Sequence, residues 1–221
     1  MLLAVDTSNE WMGLAVYDGT RVVGERAWRS SQHHTVELAP AVQDLLTHCK
    51  LTVKDLTALG VAIGPGSFTS LRVGLAFVKG LAFARKIPIV GIPTLDILAH
   101  AQPESQLPLA VAIQAGRGRY AWGWYKNFLG RWQAEGPARV VSVEAINDEV
   151  ASPSLVCGEF TGEVRQKIES NQNAQLISAD DSTRKPAVLA ELAWARFQNG
   201  DVDETASLAP IYLHTAAPIQ T

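Results

Sequence analysis

The spacing of hydrophobic residues changes twice along the first hundred positions. Residues 2–6 form a short apolar run ending in Asp6, Thr7 and Ser8. Residues 11–17 are a second extended stretch, and Asp18 with Gly19 turns it tightly into a third over 21–28. This pattern predicts three strands in meander order. From Thr35 the period lengthens: Val36, Leu38, Ala39, Val42, Leu45 and Leu46 recur at helical intervals, with Pro40 near enough to the start to be tolerated. An amphipathic helix ending near His48 is expected. Thr52 with Asp55 three residues on has the form of a capping box with Asp in place of Glu, opening a short helical turn. A doubly buried strand over 59–63, a glycine-rich break, a helix over 70–84, a strand over 88–92 and a helix over 94–101 follow. The order βββαβαβα implies a mixed sheet with helices on its faces.

Residues 102–106 are polar and contain Pro103, which makes them the best boundary. After them comes another meander, over 107–114, 119–127 and from Trp132. Helices near 143–150, 161–170 and 186–198 and a strand over 155–158 complete the chain. The second half begins as the first did, which suggests two related lobes, 1–102 and 103–221, the second reduced. The C-terminal helix falls in the second lobe, with the option of packing back on the first.

Composition narrows the class. The chain has 221 residues, 47% hydrophobic and 19% charged, which excludes disorder and provides for one large domain or two compact halves. The longest apolar runs are too short for a membrane span, and Asp6 ends the first one too early for a signal peptide. Cys49 and Cys157 make no disulfide or zinc framework, so a cytoplasmic, reducing setting is expected. With 19 basic against 22 acidic side chains, the net charge of -3 argues against binding nucleic acid through a broad basic face.

Candidate chemistry centres on Gly64, Pro65, Gly66, Ser67, Phe68 and Thr69. Amides at a glycine-rich strand-to-helix turn can cradle an anion. However, a P-loop lysine is missing and Thr69 stands at the third glycine position of a dinucleotide loop. A tight turn whose helix is capped by Ser67 or Thr69 is the preferred reading. Asp6 ends its strand where actin-like and sugar-kinase folds place the carboxylate of their first phosphate loop, yet Asp6, Thr7 and Ser8 lack the glycine that admits phosphate. At the matching place in the second half stands Gln114, neither a base nor an anionic ligand. Asp6, Thr7 and Ser8 therefore read as a vestigial phosphate loop.

VDTS at 5–8, HT at 34–35, GPGSFTSLRVG at 64–74, the pattern ending GIPTLD at 96, AIQAGRG at 112–118 and PIYL at 210–213 resemble the TsaB (YeaZ) family over nearly the whole chain. The resemblance implies an α/β, two-lobed fold of the actin-like ATPase and sugar-kinase (ribonuclease H-like) type. It also implies a catalytically inert relative of TsaD, the enzyme that transfers threonylcarbamoyl to adenosine beside the tRNA anticodon. Ser70 departs from the usual glycine and Gln114 from a common acidic residue. TsaD holds a metal with an H-x-x-x-H pair; the aligned positions here are Thr94 and Leu98, which cannot replace imidazole. No metal is expected, and no cofactor beyond weak or partner-dependent ATP or ADP binding. The implied partners are TsaD, the ATPase TsaE and a second copy of the chain, with tRNA reached through the complex and no membrane.

Two smaller sets have ordinary explanations. His34 reads as a residue at the helix start whose ring bonds locally, and a metal reading of His33 and His34 finds no further ligand, because His48, His100 and His214 show no ligand spacing to them. Tyr120, Trp122 and Trp124 alternate onto one strand face, beside Arg117 and Arg119, where core packing is preferred to base stacking. The helix after the glycine loop is apolar on nearly every side, and its surplus face implies a partner. Interface candidates are Leu38, Val42, Leu45, Leu71, Arg72, Leu75, Phe77 and Val78, and Leu75→Glu or Phe77→Glu is expected to disrupt association. The alternative readings are a nucleotide-dependent small-molecule kinase of the same fold and, with less support, a metalloprotease.

Overall fold

All five residues of β1 (Leu2–Asp6) are buried, which requires cover on both faces of its sheet. The computed structural model describes residues 1–30, 33–116 and 118–213. With β2 (Trp11–Tyr17), β3 (Val22–Arg29), β4 (Ala58–Ala62) and β5 (Ile89–Ile92), β1 forms a five-stranded sheet ordered β3-β2-β1-β4-β5. β1 is antiparallel to β2 and parallel to β4. Its helices are α1 (His34–His48), α2 (Phe68–Arg85) and α3 (Thr94–His100). A second sheet contains β6 (Leu109–Gln114), β7 (Arg119–Phe128), β8 (Arg131–Ala134), β9 (Arg139–Ser142), β10 (Ser154–Gly158) and β11 (Ala174–Leu176). Its order is β11-β10-β6-β7-β8, with β9 on β7. Here β6 is antiparallel to β7 and parallel to β10, so the second sheet repeats the connectivity of the first. α4 (Ile146–Glu149), α5 (Gly162–Glu169) and α6 (Pro186–Gln198) complete the chain.

Alternation in β1 divides the first core in two. Leu3 and Val5 face α1 and α2, packing with Leu38, Val42, Leu45, Leu75 and Val78. Leu2 and Ala4 face α6, packing with Leu189, Ala190 and Ala193. This second interface is built from small residues. A Cβ at Gly60 would lie 2.7 Å from Ala193 Cβ, and one at Gly13 would meet the Pro186 ring. α6 therefore approaches the sheet backbone closely.

The chain divides into a unit of Met1–Ile97 with Arg184–Ile211 and a unit starting at Leu98 and running through Thr183, with 212–213 at the end of the described residues. A single cut between 102 and 103 does not describe this arrangement. The small faces of α6 and the first sheet fit each other, which returns the chain to unit 1 at Arg184. In the second unit Tyr120 and Trp122 are buried against Ile146, Val164 and Ile168, while Trp124 is half-buried at the edge of that core. The helix expected over 143–150 is the single turn of α4, and β9 and β11 are strands that hydrophobic spacing does not resolve at four and three residues. Among the described residues no helix is long and apolar enough to cross a membrane.

Cys49 and Cys157 are free thiols. Burial pushes the Cys157 thiol up to about 12, so it stays protonated near neutrality and buried from reagents. Iodoacetamide at mild alkaline pH should leave Cys157 unmodified in the folded protein and modify it in urea, as read by peptide mass mapping. Leu75, beneath the first sheet, should on Leu75→Ala lower the unfolding free energy by about 2–5 kcal/mol in urea titration.

Candidate functional site

The turn after β1 is bound from several directions. Asp6 Oδ1 accepts from the Ser8 amide at 2.8 Å, and Asp6 Oδ2 accepts from Arg184 Nε at 2.6 Å. The two side chains are 5% and 3% exposed. Arg184 Nη2 also donates to Asn9 Oδ1 at 2.7 Å and to the Trp11 carbonyl at 3.1 Å. A desolvated carboxylate and guanidinium need partners in place of water, and here both Asp6 oxygens accept and Arg184 donates from Nε and Nη2. Asp6 thus acts as the counter-ion of a buried arginine.

The glycine loop closes onto this turn. Gly64, with φ of +101°, precedes a cis bond to Pro65. Its amide donates to Thr94 Oγ1 at 3.0 Å, and its carbonyl accepts from the Thr94 amide at 2.8 Å. Thr94 Oγ1 is in turn 3.0 Å from Ser8 Oγ. The Ser67 amide donates to the Ser8 carbonyl at 2.6 Å, and Gly66 lies so close to that carbonyl that a Cβ would collide with it. Thr7 Oγ1 donates to the Ser70 carbonyl at 2.8 Å, with Gly74 packed against Thr7. The amides of Gly64 and Ser67, the groups with which a glycine loop cradles an anion, are spent on protein oxygens.

Several expectations are corrected at this junction. Ser67 occupies the N-cap of α2, but its side chain caps no backbone amide and accepts instead from Ser70 Oγ at 2.9 Å; Thr69 lies inside the helix, exposed. The Pro65, Phe68 and Thr69 side chains do not join the turn's hydrogen bonds; Phe68 is 52% exposed. His34 is the first residue of α1, and its Nε2 lies 2.8 Å from the Asn9 carbonyl, so its contact is long-range and joins α1 to the same turn. Gln114 sits exposed at the end of β6. Arg117 and His214 lie outside the described residues. Asn9 and Arg184 carried no sequence signal, because neither belongs to a motif and their partners come from distant segments.

A second feature lies between α1 and α2. Leu38, Val42, Leu45, Leu71, Leu75 and Val78 are buried in the chain's own core, so they are withdrawn as contact residues: the sheet already covers the helix faces that carry them. Leu75→Glu would therefore place a charge in the core rather than test an interface. Of the eight candidates, Arg72 is exposed and Phe77 half-buried. The outward face of α2 carries Thr69, Arg72, Ala76, Gly80 and Phe83, spaced at helical intervals, with Phe83 85% exposed. Between this face and α1 runs an open groove of about 470 Å³, with Thr35, Ala39, Phe68, Arg72 and Ala76 among its walls. The Arg72 guanidinium carbon is 3.7 Å from the Phe68 ring centroid.

Residues 27–175 match the family model described as TsaD, tRNA N6-adenosine threonylcarbamoyltransferase. The tRNA threonylcarbamoyladenosine biosynthesis protein TsaB of Bacillus subtilis is 29% identical over 220 residues, covering 97% of this chain and 94% of its own. The protein of the same name from Buchnera aphidicola of Schizaphis graminum is 31% identical over 153 residues, 68% of this chain and 72% of its own. YeaZ from Pseudomonas aeruginosa superposes with a TM-score of 0.77 at 28% identity, covering 95% of this chain and 99% of that one. The chain belongs to the TsaB (YeaZ) family. A ROK hexokinase from Thermus thermophilus, at 11% identity and a TM-score of 0.51 over 90% of this chain and 99% of that one, shares the fold alone. That fold is the α/β fold of actin-like ATPases and sugar kinases.

Against the TsaB pattern, the serine at position 70 is accommodated without opening the loop: it is buried and bonded through its own hydroxyl and carbonyl. Thr94, where a TsaD metal ligand would stand, holds Ser8 and Gly64 through its hydroxyl. Leu98 is buried. Among the described residues no three His, Cys, Asp or Glu side chains converge as metal ligands.

The buried pair should behave as a unit. Arg184→Met, which strands the Asp6 carboxylate, should lower stability by about 3–5 kcal/mol in urea unfolding. Combining it with Asp6→Leu should cost less than the sum of the single changes.

Proposed function

We propose that this TsaB-family chain is a non-catalytic subunit of the cytoplasmic machinery that makes threonylcarbamoyladenosine in tRNA, where it binds and supports TsaD. The buried Asp6–Arg184 pair carries the reading. The Asp6 carboxylate, which ends β1 where this fold places its first phosphate loop, is neutralised from within. The neighbouring loop amides add to this, being bonded to protein oxygens. With these bonds made, the Asp6 carboxylate and the Gly64 and Ser67 amides are not available to orient a triphosphate or activate a nucleophile. Nucleotide binding, weak or absent in the chain alone, belongs to the assembled complex.

The exposed face of α2 and its groove supply the other half of the reading. A half-apolar helix face of this kind suits the contact with TsaD and, by the same face, with a second copy of the chain. TsaE joins the complex, and tRNA is reached through TsaD, consistent with the mild net negative charge.

Purified alone, with threonylcarbamoyl-adenylate and tRNA, the chain should form no threonylcarbamoyladenosine detectable by nucleoside mass spectrometry. Adding it to TsaD and TsaE with ATP should raise product formation above that of TsaD and TsaE without it. Product made by the chain alone would overturn the subunit reading.

A further inference from the structure

We propose that Arg184 is a positioning residue for the docking face: it sets the pose of the first turns of α1 and α2 without touching the groove between them. The proposal rests on the docking role of that face given above.

Arg184 lies outside both helices, two residues before α6, and is all but sealed from solvent. Its planar fork reaches three acceptors, Asp6 Oδ2, Asn9 Oδ1 and the Trp11 carbonyl, and so defines the path of residues 6–11. The helix starts hang from that path. The Asn9 carbonyl holds the His34 ring at the first residue of α1. The Ser8 carbonyl takes the Ser67 amide at the N-cap of α2, Thr7 Oγ1 donates to the Ser70 carbonyl one turn in, and Gly74 closes on Thr7. The groove is walled by these same first turns, by Thr35 and Ala39 on one side and Phe68, Thr69 and Arg72 on the other. A shift of the 6–11 turn is thus transmitted to both walls through short hydrogen bonds and the close contact of Gly74 with Thr7. An interface preorganised in this way loses affinity when its walls are loosened, even with every contact residue in place.

Arg184→Lys separates this role from general stability, since lysine keeps a charge for Asp6 but lacks the fork for Asn9 and Trp11. Affinity for TsaD, measured by calorimetry well below the unfolding transition, should fall by about tenfold or more. Amide hydrogen exchange should quicken at 34–38 and 67–71 while β1 and β4 keep their protection. Arg72→Glu, on the groove wall, serves as the contact control. Binding within about twofold of the unaltered chain in Arg184→Lys, with Arg72→Glu weakened, would overturn the positioning role alone. If Arg72→Glu also binds normally, the docking reading fails, and unchanged exchange at the two helix starts then separately rejects the positioning role. Should Arg184→Lys not fold, Asn9→Ala removes the fork's second acceptor while keeping the ion pair. It should weaken TsaD binding by about threefold, and unchanged affinity would overturn the proposal.

Discussion

A carboxylate and a guanidinium taken out of water dominate the architecture of the first unit. Transferring each ion to the interior costs several kcal/mol, and mutual attraction offsets that only with near-complete hydrogen bonding. Around Asp6 and Arg184 the Ser8 amide, the Asn9 side chain and the Trp11 carbonyl supply bonds in addition to the ion pair. The constraint runs in both directions. The β1–β2 turn must follow the path that supplies these partners, and residue 184 must be brought back from the end of the second unit to supply the cation. Close packing of α6 on the first sheet follows from the same return. Pro186 and Ala193 fit only because Gly13 and Gly60 offer no side chain there.

The pair also fills the end of β1, the place at which the nucleotide enzymes of this fold have their first phosphate loop. Strand ends, a glycine loop and helix starts converge at the end of β1, as they must in this topology. Their anion-binding capacity is used internally: Thr94 takes Gly64, Ser8 takes Ser67, and Arg184 takes Asp6. The same bonds tie the turn after β1 to the first residues of α1 and α2, behind the surface between those helices. The apolar content of nearly half the chain then has two uses, one in a sheet covered on both faces and one on the outward side of α2.

Elements longer than about one turn or five residues were legible from spacing because the signal is local. The capping box at Thr52 and Asp55 forms as read, and α6 matches its expected span. Asp6 and the glycine loop stand out in the sequence as separate features; that Ser8, Gly64 and Thr94 bond to one another is visible only in the fold. Six of the eight interface candidates are buried, for two reasons. On α2, apolar on nearly every side, periodicity cannot say that Leu71, Leu75 and Val78 are the residues turned inward, and on α1 the apolar stripe of Leu38, Val42 and Leu45 is the one that the first sheet takes.

What the sequence by itself determined is therefore the strand and helix order of the first hundred residues, the family and the absence of a P-loop, all carried by residues near one another in the chain. Tertiary structure alone decided the return of α6 to the first unit, the outward face of α2 and the partner of Asp6. The last is the clearest case. Arg184 stands 178 positions from Asp6 in a polar stretch with no motif, and it becomes an ion-pair partner only because two folded surfaces exclude water around both.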